Sequence, residues 1–212
     1  MPGKADRTKD RILDAARELF NRRGTSEVDT HDIAEAARMS PGNLYYHYRN
    51  KREIVRALVD RVELYSEAAW RRRGGPGASF PEFMEFFFGS VARDRFFFVE
   101  SPRLLSQDKP LAEAWRRKHH RLEAVLRSTA QGWVDAGVML PFEDAEDAEA
   151  FVDSAWILCH FAAAYFETKS RLSAAEAHAE ARCLLLRFLR PYHTAAGKKA
   201  LDRYEAGLPA PA

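Results

Sequence analysis

Helical periodicity runs through the 212-residue chain from end to end, and no stretch alternates as a half-buried strand would. A chain written this way can build a core only by packing helix on helix, so the expected fold class is all-α, with about nine helices. The stop and start signals divide it. "RTKDRILDAARELFNRRG" places Ile12, Ala15, Ala16, Leu19 and Phe20 on one face and stops at Gly24. "VDTHDIAEAAR" follows, capped by Asp29 or Thr30 and burying Ile33, Ala34 and Ala37. "MSPG" then reads as a turn with Ser40 as cap and Pro41 at the first helical position of a short helix, 41 to 47.

A longer helix is expected from Lys51 through a stripe of Ile54, Leu58, Val62 and Tyr65 toward Trp70. "RRRGGPGAS" at 71 to 79 is the clearest break. Beyond it, Ser79 and Glu82 fit a capping box that opens a helix through about Asp94, and a short element near 101 to 107 leads into a long helix, 108 to 137. Helices over 145 to 170 and from the capping box at 173 to 176 through Arg190 complete the large elements, with a short one near 195 to 206. The expected organisation is a helix-turn-helix domain over 1–52, a connecting helix over 53–73 and a larger all-helical domain over 74–212, to which the resemblance given below assigns effector binding and dimerisation.

Charge sharpens this division. Residues 1 to 52 carry eleven Lys/Arg against eight Asp/Glu, whereas the whole chain is +2, so the basic excess lies in the first quarter. No apolar run approaches the roughly 20 residues that span a bilayer, and two cysteines make no disulfide framework. A cytoplasmic protein without membrane contact is expected. No GxSxG, P-loop or GxGxxG motif occurs, and neither His119-His120 nor Cys159-His160 has metal-ligand spacing. No catalytic residue, metal or cofactor is expected, and an enzyme is the disfavoured class.

"MSPGNLYYHYRNK" carries the chemistry. Leu44 is its inward residue and Tyr48 a closing apolar contact, which turns Pro41, Gly42, Asn43, Tyr45, Tyr46 and His47 outward. Tyrosine is a poor residue for a merely solvated face. Its hydroxyl donates to phosphate and its ring packs on sugar or a thymine methyl, while Pro41 and Gly42 keep the helix start slim enough to enter a groove. Lys51 at the next helix start is within reach of a phosphate. A protein interface made by the same tyrosines is the competing reading.

"TKDRILDAARELFNRRG … TxxDIAEAA … MSPGNLYYHYRNKREIV" resembles the DNA-binding domain of the TetR family of bacterial transcriptional repressors, nearly without gaps over residues 8 to 60. The resemblance implies a three-helix head, a variable all-helical ligand domain and dimerisation through the last long helices. It assigns Thr30, Tyr45, His47 and Lys51 to phosphates, and Ser40, Pro41, Gly42, Asn43, Tyr46 and His31 to base edges. Arg38 departs from the glycine common there. A homodimer on a palindromic double-stranded operator, released by a small-molecule effector, is the implied function, with an activator of the same fold as the alternative.

In the second domain, one dimer helix is expected to present Phe151, Ala155, Cys159, Ala162 and Phe166, and the next Ala181, Leu184, Leu185 and Phe188. An internal core face is the competing reading for part of that set. Phe96, Phe97 and Phe98 cannot all face one core, so some are expected at a cavity or interface. Phe83, Phe87, Phe97, Trp115, His119 and Trp156 are the expected frame of a pocket for an apolar or aromatic effector.

Overall fold

The computed structural model describes residues 4–72, 75–77, 79–170 and 172–208. Its chain order is α1 (Lys4–Arg23), α2 (Thr30–Ala36), α3 (Pro41–His47), α4 (Lys51–Asp60), α5 (Glu67–Arg72), α6 (Phe80–Arg93), α7 (Arg95–Gln107), α8 (Lys109–Asp135), α9 (Ala145–Ser170), α10 (Ala174–Leu189) and α11 (Ala195–Ala206). None of these helices is long and apolar enough to cross a membrane.

Eleven α-helices among the described residues exceed the expected number for two reasons. The helix expected to run on from Lys51 stops at Asp60, where Arg61 and Val62 turn out of it and a 3₁₀ turn over Glu63–Tyr65 precedes α5. Residues 95–107, expected as a short element beginning near 101, form a full helix with Pro102 inside it. Arg73 and the last residues, 209–212, lie outside the described residues.

The packing divides the chain differently from the contiguous scheme of the sequence. One compact unit joins Met1–Val62 to Asp94–Arg116, and the other joins Glu63–Arg93 to Arg117–Ala212. In the first unit, Ile12, Ala16, Phe20, Ile33, Leu44, Ile54 and Leu58 form the buried centre of the head. Residues 94–116 are fastened to that head by polar contacts. Arg17 Nε donates to the fully buried Asp94 at 2.9 Å, and the Phe96 N–H donates to the Asn21 side chain at 2.9 Å. Thr25 gives its N–H and its hydroxyl to the two Glu100 oxygens, at 2.8 and 2.7 Å, and Arg103 joins that cluster. Asp108 caps α8 through Leu111 N–H and takes both oxygens to Arg56 Nε, at 2.8 and 3.1 Å. Burial pushes the Asp108 carboxyl up, but the Arg56 guanidinium and the Leu111 N–H outweigh it and hold the group below the usual carboxylate range.

Phe96, Phe97 and Phe98 are all fully buried, while Arg95 and Val99 on either side of them are half-buried. Phe96 meets Phe20 at 5.5 Å between ring centroids.

In the second unit, α9 and α10 lie against each other along their length. Ala162, Ala163 and Ala181 let the backbones approach, with Phe166 and Leu184 packed beside them. The capping box at Ser173 and Glu176 forms as the sequence pattern requires. At the start of α6, Glu82 reaches back to the N–H and hydroxyl of Ser79, at 2.9 and 2.7 Å.

Arg38 stands at φ 52°, in the left-handed region, directly after α2. Arg38→Gly relieves a strain of about 1 kcal/mol and gives back part of it through unfolded-chain entropy. The expected result is a gain of about 0.5 kcal/mol in chemical denaturation, and a loss of stability would show that the left-handed turn costs nothing here.

Candidate nucleic-acid interface

The candidate surface is built from α2, α3 and the turn between them. Asp29 caps α2, accepting from His31 and Asp32 N–H at 2.8 and 2.9 Å, while the Asp32 side chain accepts from Asp29 N–H at 2.9 Å. That reciprocal box fixes where α2 begins and so where Thr30 points. Thr30 Oγ1 and the Tyr45 hydroxyl are 2.8 Å apart, which ties the start of α2 to the middle of α3. Ser40 caps α3 by accepting from Asn43 N–H at 3.3 Å, and Pro41 occupies the first helical position.

Leu44 is the buried residue of α3, and Tyr48 closes the core behind it. Gly42, Asn43, Tyr45 and Tyr46 are left exposed, with Tyr46 at 84% and its ring edge-on to His47 at 5.2 Å. A Cβ added at Gly42 would meet nothing within 4 Å, so the protein's own packing does not require glycine there. His31 is exposed and Pro41 and His47 are half-buried on the same two elements. Of the ten expected contact residues, nine therefore sit together around α2 and α3 with their chemistry available.

Lys51 is the tenth, and its geometry differs from the expectation. Its Nζ donates to the carbonyls of Thr25 and Val28, both at 2.6 Å, inside the head. The ammonium is engaged in bracing the loop between α1 and α2. Sequence spacing placed Lys51 correctly at a helix start, but only the folded loop shows which oxygens it meets.

The expected pocket residues separate. Phe83, Phe87 and Trp156 line an apolar cavity of about 40 Å³ with Trp133, Phe151 and Leu185. The His119 ring lies tilted against Trp156 at 4.9 Å between centroids without lining that cavity, and its Nε2 lies 3.1 Å from Glu123. Phe97 and Trp115 are not among the residues that line the cavity. Burial pushes His160, next to Trp156, down to about 3, and it remains an uncharged core residue. No three His, Cys, Asp or Glu side chains converge among the described residues to hold a metal.

The expected dimer set divides by burial. Phe151, Cys159, Ala162, Ala181 and Leu185 are buried within the chain, Phe151 stacks on Phe188 at 5.9 Å, and Ala155 lines the cavity. Phe166 and Leu184 pack on the alanine seam between α9 and α10. The competing reading, an internal core face, describes the five buried ones, while Ala155, Phe166, Leu184 and Phe188 are half-buried. A different stripe of α9 stays uncovered: Ile157, Phe161 and Tyr165, at 56%, 41% and 54% exposure and four residues apart. The signal was present in the sequence as three large apolar residues at helical spacing, masked by a helix apolar almost all round.

Residues 12–58 match the family model for bacterial regulatory proteins of the tetR family, and residues 76–201 match the model for a bacterial transcriptional repressor of the TetR type. The HTH-type transcriptional regulator TtgR of Pseudomonas putida is 40% identical over 57 residues, 27% of this chain and 27% of that protein. The match to that curated relative thus spans less than a third of its length. The fold is similar over almost the whole chain to a TetR-family transcriptional regulator from Marinobacter aquaeolei VT8, at TM-score 0.77 and 24% identity, covering 95% of this chain and 98% of that one. The structure of a SmeT–triclosan complex is similar at TM-score 0.57 and 15% identity over 90% and 94%. With a helix-turn-helix whose short second helix presents its tyrosines, and with family models matched at both ends, the chain belongs to the TetR family of bacterial regulatory proteins.

Proposed function

We propose that this chain is a homodimeric DNA-binding transcriptional regulator, a repressor that leaves a palindromic operator when a small apolar or aromatic effector binds its second unit. The observation that carries the reading is α3 itself: a capped seven-residue helix with one buried residue and a row of exposed aromatic and small side chains. Such a helix contributes almost nothing to its own core, and its face suits phosphate, sugar and base edges. The Thr30–Tyr45 hydrogen bond supports it by fixing both side chains before any partner arrives. Two heads roughly 34–36 Å apart are what a palindrome requires. The apolar lining around Phe87 and Trp156 suits an effector of the kind named, and SmeT is similar in fold and binds triclosan. Release then follows from differential affinity of the effector for states that do and do not fit the operator.

Fluorescence anisotropy with DNA from the gene's own upstream region, at two salt concentrations, tests this. Wild type should bind with an affinity that falls steeply with salt. Tyr46→Ala should weaken binding by about tenfold at either salt, since a base-edge or sugar contact is worth about 1–3 kcal/mol. Tyr46 is exposed, so the variant should melt with the wild type. Absence of binding at low salt would give the face to a protein partner instead.

A further inference from the structure

The cavity around Phe87 has the lining for an apolar effector but not, as it stands, the room, and Trp133 is one of its walls. At about 40 Å³ it has room for little more than one water, whereas ligand sites run to about 300–1,000 Å³. On the other side of Trp133 lies a groove of about 820 Å³, open to solvent and formed by the starts of α6, the end of α8 and α11. Among the described residues, Trp133 is the one side chain that lines both.

Its ring stands edge-to-face between Phe80, on the groove side at 5.3 Å, and Phe83, on the cavity side at 5.2 Å. It sits on the last turn of α8, where Gly137 at φ 69° ends the helix and the Trp133 carbonyl accepts from Val138 and Met139 N–H. A helix end of this kind opens at lower cost than a helix middle. Gly132 and Ala136 flank it in the groove and leave space beside the ring.

The groove also has a fixed charge. Tyr204, 8% exposed, donates its hydroxyl to Glu85 Oε1 at 2.8 Å and so holds a carboxylate beside the rings of Phe80 and Tyr204. Burial and Glu85 push the phenol up and outweigh the opposing pull of Arg182, which also reaches Tyr204, so Tyr204 stays a donor. A carboxylate beside aromatic rings selects a cation.

We propose that the groove and the cavity form one ligand site divided by Trp133, and that it takes an amphipathic aromatic amine: ammonium on Glu85, ring passing Trp133 toward Phe87. This rests on the effector-responsive reading above and names the ligand class. Arg203 at the groove rim makes an aromatic acid the competing ligand.

The test is calorimetry on the full chain without DNA, with 2-naphthylmethylamine, 2-naphthylmethanol and 2-naphthoate as probes. The amine should bind saturably, one per chain, and about tenfold tighter than the alcohol. Glu85→Gln should remove that advantage and leave the alcohol unchanged. Trp133→Phe, a smaller divider, should speed association of both severalfold in stopped flow. Tighter binding of the naphthoate, equal binding of amine to wild type and Glu85→Gln, or no saturable binding would overturn the site. Were Trp133→Phe to misfold, the Glu85→Gln comparison still decides. Saturable, Glu85-dependent binding that leaves operator affinity unchanged would keep the site and remove the effector reading. No binding by a chain that holds its operator would remove the site alone.

Discussion

Phe161→Glu should convert the protein to a monomer in sedimentation velocity and lower its operator affinity by at least about 100-fold, because linked binding modules gain about 10²–10⁴ over single ones. The expectation follows from where large apolar side chains remain uncovered. Among the described residues these are Tyr45, Tyr46, Leu140, Ile157, Phe161 and Tyr165. Two belong to α3, where DNA is the proposed partner. Three lie on α9 at successive four-residue steps, so they form one stripe along a single face.

A contiguous apolar stripe on a 26-residue helix is a surface that water does not explain, and a second copy of the same stripe is its simplest complement. The charge at 161 would then face its own copy across the axis and repel it. Folding should be unaffected, since Phe161 is 41% exposed and already half in water. Ala162→Glu is the control: it inserts charge into the seam between α9 and α10 and should unfold the unit, not dissociate a dimer. A Phe161→Glu protein that stays dimeric would transfer the interface to another face.

The parts of the molecule legible in the sequence are those set by a few adjacent residues. Asp29 and Ser40 cap as their spacing demands, Leu44 points inward, and Ser173 and Glu176 form their box, because each decision involves one turn of chain. Arg38 was recognisable as a departure for the same reason, and it does adopt the left-handed angle. What could not be read depended on which distant surface arrives. Phe96–Phe98 read as too many for one core, yet all three are fully buried. Residues 94–116 read as part of the second domain, yet Asp94, Glu100 and Asp108 each find a partner in the head 52 to 77 residues away. Five of the nine expected dimer residues are buried within the chain, because α9 is apolar nearly all round and periodicity could not separate the face that meets α10 from the face left bare. Aromatic density located the cavity through Phe83, Phe87 and Trp156, but not Trp133, whose importance is a matter of position between two spaces.

Lys51→Met separates the sequence reading of that residue from the structural one. As a phosphate contact, Lys51 would contribute to the salt dependence of operator binding, and its loss would reduce the slope by about one without changing the melting temperature. As a brace, its ammonium satisfies the Thr25 and Val28 carbonyls at 2.6 Å each, and these charged hydrogen bonds contribute about 1.5–3 kcal/mol each at most, less where water reaches them. A net loss of about 2 kcal/mol is the expected cost, or about 4–8 °C in a chain of this size. The loop it braces runs into the Asp29 cap, and its Thr25 end is also held by Glu100, so the loop is fixed from α4 and α7 together. Loosening it frees the start of α2 and with it the Thr30–Tyr45 pair, so operator affinity should fall several-fold while the salt slope stays at the wild-type value. A reduced slope with an unchanged melting temperature would return Lys51 to the phosphate and require its two carbonyl contacts to exchange for the DNA backbone on binding.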